Sequence, residues 1–369
     1  MKPWTLVYEG FEPSEESLRE ALCTLGNGYF ATRGASPESE ADEIHYPATY
    51  LAGGYNRLKT EIAGRVIENE DLVNMPNWLF TTFRPEGGDW LNLLSVDILS
   101  YRQELNLKEG LLTRTVRFRD RQKRETTLIQ RRFVHMEQMH LAALETSIIP
   151  ENWSGRIQVL SGLDGRVINA GVERYKQLNG KHLEFIDSDA VDEETIRLLV
   201  ETNQSRLRVA EAARTRVYSE EGPIEVERKL VRQNGFIGRE FFIDGAENKP
   251  VKIEKIVSFY TSRDFAVSEP ALDATVAVGH AGNFDELLKS HVLQWDHLWD
   301  RCDIRLSDSD RPQMILRLHI FHLLQTVSRN SIDLDNGVPA RGWHGEAYRG
   351  HVFWDELFIF PYLNLRIPY

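Results

Sequence analysis

Leu111-Leu112-Thr113-Arg114-Thr115-Val116-Arg117-Phe118, a charged turn, and then Glu125-Thr126-Thr127-Leu128-Ile129-Gln130-Arg131-Arg132-Phe133-Val134 are two alternating runs of similar length. Alternation of this kind turns one face of each run toward a core, which is the pattern of half-buried strands in a hairpin. His140-Leu141-Ala142-Ala143-Leu144-Glu145-Thr146-Ser147-Ile148 reads as a third strand, so the three form a meander. Upstream, Leu22-Cys23-Thr24-Leu25 leads through Gly26-Asn27-Gly28 into Tyr29-Phe30-Ala31-Thr32, and an Asn-Gly between apolar runs signals a hairpin. Downstream come residues 157–161 and a Gly-Leu-Asp-Gly turn, then 182–185 before an acidic loop, then 198–202, 207–213 continuing into 215–218, 239–243 and 251–260. The Ala and Arg content of 207–213 favours helix, while its alternation and its neighbours favour strand; strand is the reading adopted. So many strands with so few helical segments imply a large two-sheet sandwich over residues 1–270.

The pattern changes near residue 270. Ala271 to Gly282 is rich in small residues and reads as helix. Asn283 can cap a helix through Phe284, Leu287, Leu288, His291, Val292, Trp295, Leu298 and Trp299, at 3.6-residue spacing. A second helix is expected from about Arg311 to Ser328, with Ile315, Leu318, Phe321, His322 and Gln325 on one face and His319 and His322 as packing or capping groups. Residues 271–329 thus form a helical linker. Residues 330–369 open a further domain, with an apolar helix around Phe353 to Phe360 that Pro361 should disturb.

Length and composition bound the function. A chain of 369 residues suggests more than one domain, and 41% apolar with 27% charged residues is ordinary globular composition. A net charge of −12 argues against nucleic acid as a partner. The pairs Arg117/Arg119 and Arg131/Arg132 read as solvated faces. Cys23 and Cys302 show neither metal spacing nor a disulfide framework and read as idle or buried thiols. The first residues lack the apolar segment of a secretory signal, and no apolar run is long enough to span a membrane, so no membrane partner is expected and cytoplasm is the expected compartment. Such an acidic, aromatic-rich chain suits a small neutral ligand with many hydroxyls.

The chemistry concentrates in Gly345-Glu346-Ala347-Tyr348-Arg349-Gly350-His351-Val352-Phe353-Trp354-Asp355-Glu356-Leu357-Phe358. An indole offers a flat apolar face to a pyranose ring, and a neighbouring carboxylate accepts from hydroxyls. This stretch resembles the core signature of glycoside hydrolase family 65, the phosphorylases of maltose, trehalose and kojibiose. Thr24-Leu25-Gly26-Asn27-Gly28-Tyr29-Phe30-Ala31-Thr32-Arg33-Gly34 is similar to that family's opening motif. The resemblance spans the chain, anchored at both ends. It implies a multidomain β + α fold: a large N-terminal β-sandwich of the galactose-mutarotase-like supersandwich type, a helical linker, and the start of an (α/α)6 barrel. One departure is that family members often carry Trp-Asp-Thr-Glu, whereas Glu356 here follows Asp355 directly. Another is length, since family members run to roughly twice 369 residues.

The resemblance gives Trp354 and Asp355 the subsite for the transferred glucose. The alternative for the pair is a core tryptophan beside a helix-initiating aspartate. Arg349 and His351 are expected either to bond sugar and orient Asp355 or to clamp the loop. Phe353 is expected in the core. Glu356 points about 100° away from Asp355 on a helix, so the two cannot flank one glycosidic bond, and Glu356 is read as structural. Asn27-Gly28 and Arg33 are read as sandwich architecture, and Trp78, Trp90 and Tyr101 as packing rather than sugar platforms. The family's general acid and phosphate-binding residues are expected beyond Tyr369. The implied reaction is inverting phosphorolysis of an α-glucosyl disaccharide to β-glucose 1-phosphate and an acceptor sugar. Inorganic phosphate is the co-substrate, no organic cofactor or metal is implied, and a homodimer is expected from the family. An α-glucosidase on the same scaffold and a non-catalytic carbohydrate-binding or assembly module are the alternatives. On this reading the 369 residues alone are inactive.

Overall fold

Along the strand Leu111–Arg119, Leu112, Arg114, Val116 and Phe118 are buried while Thr113, Thr115 and Arg117 are at least partly exposed, as the alternation requires. The computed structural model, which describes residues 3–306, 310–334 and 336–367, places this strand in a ten-stranded antiparallel sheet. The sheet runs in the order Thr5–Glu9, Asp97–Asn106, Leu111–Arg119, Glu125–Val134, Leu141–Pro150, Val251–Thr261, Arg208–Ser219, Thr195–Thr202 and Leu183–Ala190, with Gly222–Pro223 paired to Arg208–Ser219. Register puts Val116 opposite both Tyr101 and Leu128, and Leu128 opposite Ile148. A second sheet, in the order Arg228–Gln233, Phe236–Gly245, Gly155–Asp164 and Thr81–Pro85, presents Phe83, Ile157, Val159, Phe241 and Ile243 to that row. Fully burying side chains of this size stabilises by about 1.5–3 kcal/mol each, and this apolar layer holds the sandwich together.

The strand Arg208–Ser219 explains its own ambiguous composition. Ala210 and Ala212 face outward against helix α2 (Pro270–His280), where Ala271, Ala274 and Val278 pack on them. Small residues on both sides let the helix lie close to the sheet. The Arg214 guanidinium then donates to the carbonyls of Val278, Ala281 and Gly282, satisfying the last acceptors of the helix. Helix α3 (Phe284–Cys302) starts from a capping box of Asn283 and Glu286, as the Asn283 reading requires. It buries Phe284 and Leu287 against Phe133 and Ile256, and Trp295 against Phe321 of α4 (Asp310–Thr326). Helix α2 and the start of α3 therefore lie on the outer face of the ten-stranded sheet, while α4 packs on α3 and on the Asn27-Gly28 turn.

Several expectations are corrected. Residues 16–22 form a short helix, α1 (Glu16–Leu22), so the first hairpin strand shrinks to Leu25–Gly26. The acidic stretch after Phe185 is strand, accommodated by a bulge between Phe185 and Asp187. Gly162, Leu163 and Asp164 continue a strand and do not turn. Arg132 is not solvated: strand parity points it inward, where it donates to the carbonyls of Ala35 and Arg33. Arg117, Arg119 and Arg131 do lie outward, in ion pairs with glutamates. On α4, Ile315 and His319 face solvent. The buried stripe is turned because Arg317 swings inward to pair with Asp303 at 2.8 Å and to cover the Trp4 ring at 3.6 Å. Pro361 lies inside the last helix, Glu356–Arg366, which continues past it.

The Asn27-Gly28 turn does more than join two strands. Asn27 Oδ1 accepts from the backbone of Tyr29 and Phe30, and its Nδ2 donates to His135 and Met139 carbonyls. Its own carbonyl accepts from Ser328 Oγ and Asn330 Nδ2, and the Gly28 N–H donates to Gln325. Gly28 has φ +90°, and a Cβ there would meet Ser328 Oγ at 2.4 Å. Gly64, by contrast, has φ +75° with nothing within 4 Å. Gly64→Ala should therefore cost only the left-handed backbone penalty, about 1 kcal/mol, and Gly28→Ala at least about 2 kcal/mol, read from denaturant midpoints. Equal losses would show that the turn is not packed against the end of α4.

Candidate functional site

The C-terminal signature is assembled on the sandwich. After α4, Trp343 is buried among Ala31, Ala48, Tyr50 and Leu72, and its Nε1 donates to the Thr326 carbonyl at 3.3 Å. The Arg33 guanidinium reaches the His344 carbonyl at 2.6 Å while also bonding the carbonyls of Tyr46 and Ser17. Arg33 is thus architecture, as read from the sequence, but it joins the opening motif to the C-terminal stretch. Glu346 follows. It accepts from the Tyr46 and Tyr50 hydroxyls and from the Gly171 N–H at 3.1 Å. Burial outweighs these hydrogen bonds and pushes its carboxyl up to about 7.

The chain then makes a tight reversal, with Tyr348, Arg349 and Gly350 all at positive φ (55°, 57° and 68°). Two non-glycine residues in the left-handed region cost of order 1 kcal/mol each, so neighbours must hold them there. The hairpin of Tyr55–Ile62 and Arg65–Leu72 does so. The Tyr55 hydroxyl donates to the Gly350 carbonyl at 2.5 Å, His351 Nε2 meets the Glu70 carbonyl at 2.8 Å, and Arg349 Nε lies 3.7 Å from Asp71. A side chain at Gly350 would strike Leu72 at 2.4 Å.

This places the four singled-out residues in two groups. Arg349 and His351 contact the hairpin, and the last helix begins only at Glu356. Trp354 is 68% exposed in this chain, and its ring meets Phe358 edge-on at 5.5 Å. Asp355 is half-buried and initiates the helix without capping it. Glu356 accepts the Val338 N–H, in keeping with a structural role. Phe353 is corrected: it is 45% exposed and packs only edge-on to Tyr348. Trp78 and Tyr101 are buried as expected, and Trp90 is half-exposed. Trp354, Leu357, Phe358 and Leu365 together leave a broad apolar face open to solvent.

The sequence reading passed over Glu346, Trp343 and the 55–72 hairpin. Glu346 stands inside the quoted stretch, but nothing local shows that Tyr46, Tyr50 and Gly171 will surround it. Among the described residues no group of His, Cys, Asp and Glu is arranged to hold a metal, and no helix is long and apolar enough to cross a membrane.

Comparison with known proteins gives consistent results. The model for the glycosyl hydrolase family 65 N-terminal domain matches residues 6–298, and that for the family 65 central catalytic domain matches residues 317–369. An uncharacterized glycosyl hydrolase of Mycobacterium tuberculosis is 45% identical over 366 residues, covering 99% of this chain and 28% of its own length. A kojibiose phosphorylase of Halothermothrix orenii and a trehalose 6-phosphate phosphorylase of Lactococcus lactis are each 30% identical across this whole chain, which covers 46% of their length. The chain thus spans less than half of the curated relatives it matches. A solved structure described as a candidate kojibiose phosphorylase from the human microbiome superposes with a TM-score of 0.86 at 22% identity, over 98% of this chain and 46% of its own. That likeness shows the fold: N-terminal sandwich followed by helices.

Glu346 yields a pH prediction. Its folded value of about 7 lies above its ordinary 4.5, so the protonated form favours folding. Its stabilising contribution is complete below pH 4.5 and is lost as pH rises toward 7. Relative to Glu346→Gln, the native chain should lose on the order of 2–3 kcal/mol between pH 4.5 and 7.5, measured as the difference between denaturant curves. A constant difference over that window would show that Glu346 is not buried as described.

Proposed function

As the chain belongs to glycoside hydrolase family 65, we propose that it serves the inverting phosphorolysis of an α-glucosyl disaccharide, supplying the sandwich, the linker helices and the first wall of the glucose subsite. The observation that carries this reading is the solvent-exposed indole of Trp354 beside the half-buried carboxylate of Asp355, on a loop that the sandwich holds in a strained shape. The names of the relatives, which include kojibiose, trehalose 6-phosphate and nigerose phosphorylases, support phosphorolysis over hydrolysis.

In this reaction a glutamic acid protonates the glycosidic oxygen and phosphate attacks C1 from the opposite face. The bond to the acceptor sugar breaks, and β-glucose 1-phosphate forms with inverted configuration. Trp354 covers one face of the glucose ring and Asp355 accepts from its hydroxyls, so the pair positions the sugar and does not itself transfer protons. Residues outside the 369 supply the acid and the phosphate site, and the exposed apolar face of the last helix is where the rest of the barrel packs. The reaction needs no organic cofactor or metal, and a soluble, cytoplasmic homodimer is the form we expect.

The test is sugar release by the enzyme carrying a complete catalytic domain, from kojibiose, trehalose, trehalose 6-phosphate, nigerose and maltose, with and without phosphate. Release from at least one of them should require phosphate. Full-rate release in its absence would establish a glucosidase instead. Trp354→Ala in that enzyme should lower kcat/KM by about 10–100-fold through loss of ring contact. The 369 residues alone should show no turnover, and measurable turnover would refute the assignment of the acid to a later segment.

A further inference from the structure

The sandwich carries a second surface with sugar-binding chemistry, built from residues that the family signature does not use. A cleft of about 550 Å3 lies between the loop Ser36–Asp42 and the strap Trp90–Leu94, with Phe80, Thr82 and Leu160 as its floor. None of its residues belongs to the segment that carries Trp354. Its size falls within the range of small-molecule sites.

Both walls are fixed. On one side, Leu91 and Leu93 are buried in the apolar core, and the Leu91 N–H bonds the Phe83 carbonyl at 3.0 Å. These anchors leave Trp90 half-exposed at the cleft. The Arg84 guanidinium lies over its ring at 4.6 Å and is itself held by Gln158 at 2.7 Å. One face of the indole is thereby covered by a cation. On the other side, Glu38 pairs with the buried Arg114, and Asp42 Oδ1 accepts the N–H groups of Ile44 and His45. The wall loop is therefore tied down at both ends. The walls carry Ser39, Glu40 and Asn92, which bring a hydroxyl, a carboxylate and an amide to the cleft that Trp90 also lines; the Ser39 hydroxyl donates to the Ser36 carbonyl and the Asn92 oxygen accepts the Leu94 N–H. That combination suits a ligand with an apolar ring face and many hydroxyls. The net charge of −12 disfavours an anionic one.

We propose that this cleft is a binding site for a neutral saccharide of two or more pyranose units, with one ring stacked on Trp90, separate from the subsite at Trp354.

The test titrates the 369-residue chain with maltose, kojibiose and maltoheptaose, with inorganic phosphate as the control. Binding is followed by tryptophan fluorescence and by the indole N–H resonances. The Trp90 resonance should shift with at least one saccharide and not with phosphate. Trp90→Ala should weaken binding about tenfold or more, and Trp90→Phe should retain most of it. Unaltered melting of Trp90→Phe guards against a folding defect. Saccharide binding lost in Trp354→Ala but kept in Trp90→Ala would overturn this site while supporting the glucose subsite. A shift with phosphate alone, or with no saccharide at all, would also overturn it.

Discussion

The structure turns on one buried junction, where the backbone of Asn27 and Gly28 meets the end of helix α4. The Asn27 carbonyl takes hydrogen bonds from Ser328 and Asn330, and the Gly28 N–H gives one to Gln325, all away from water. A buried polar group left unpaired costs about 1–3 kcal/mol, so these partners must all be present together or the turn cannot be buried. Only glycine supplies the backbone angle and the clearance. Arg33, six residues after Asn27, fastens the same motif to the His344 carbonyl. The opening motif is thus fastened to the residue that immediately precedes the C-terminal signature, some three hundred residues later in sequence.

From that contact the consequences run toward the site. With the opening hairpin docked, Trp343 seats among Tyr50, Ala48 and Leu72, and Glu346 meets the hydroxyls of Tyr46 and Tyr50. The hairpin at 55–72 then holds Tyr348, Arg349 and Gly350 in left-handed conformations that they would not keep alone. Trp354 and Asp355 emerge immediately afterwards. The sandwich is thus the scaffold that presents Trp354 and Asp355, the pair proposed as the first wall of a glucose subsite.

How much of this was legible depends on the range of the interaction. The meander at 111–148 and the capped helix at Asn283 rest on local periodicity and local hydrogen bonds, and both stand as read. The strand at 208–219 was legible from alternation against its composition, because its alanines answer to a helix packed outside. The inward turn of Arg132 and the outward turn of Ile315 were not, since each depends on a partner distant in sequence: the Arg33–Ala35 carbonyls in one case, Asp303 and Trp4 in the other. At the site, Trp354 and Asp355 stand out by residue type alone, an indole next to a carboxylate. The clamp from the 55–72 hairpin and the burial of Glu346 were invisible for the same reason as Arg132.

The most direct test of the junction is amide hydrogen exchange on the native chain and on Asn330→Ala, which removes one bond to the Asn27 carbonyl and one to the Met136 carbonyl and leaves the strand ladders of the sandwich intact. If the opening motif and the C-terminal stretch are one structural unit, protection should fall at residues 24–34 and at residues 343–352 together, while the strands at 111–119, 125–134 and 141–148 stay protected. Faster exchange confined to the neighbourhood of residue 330 would contradict the account.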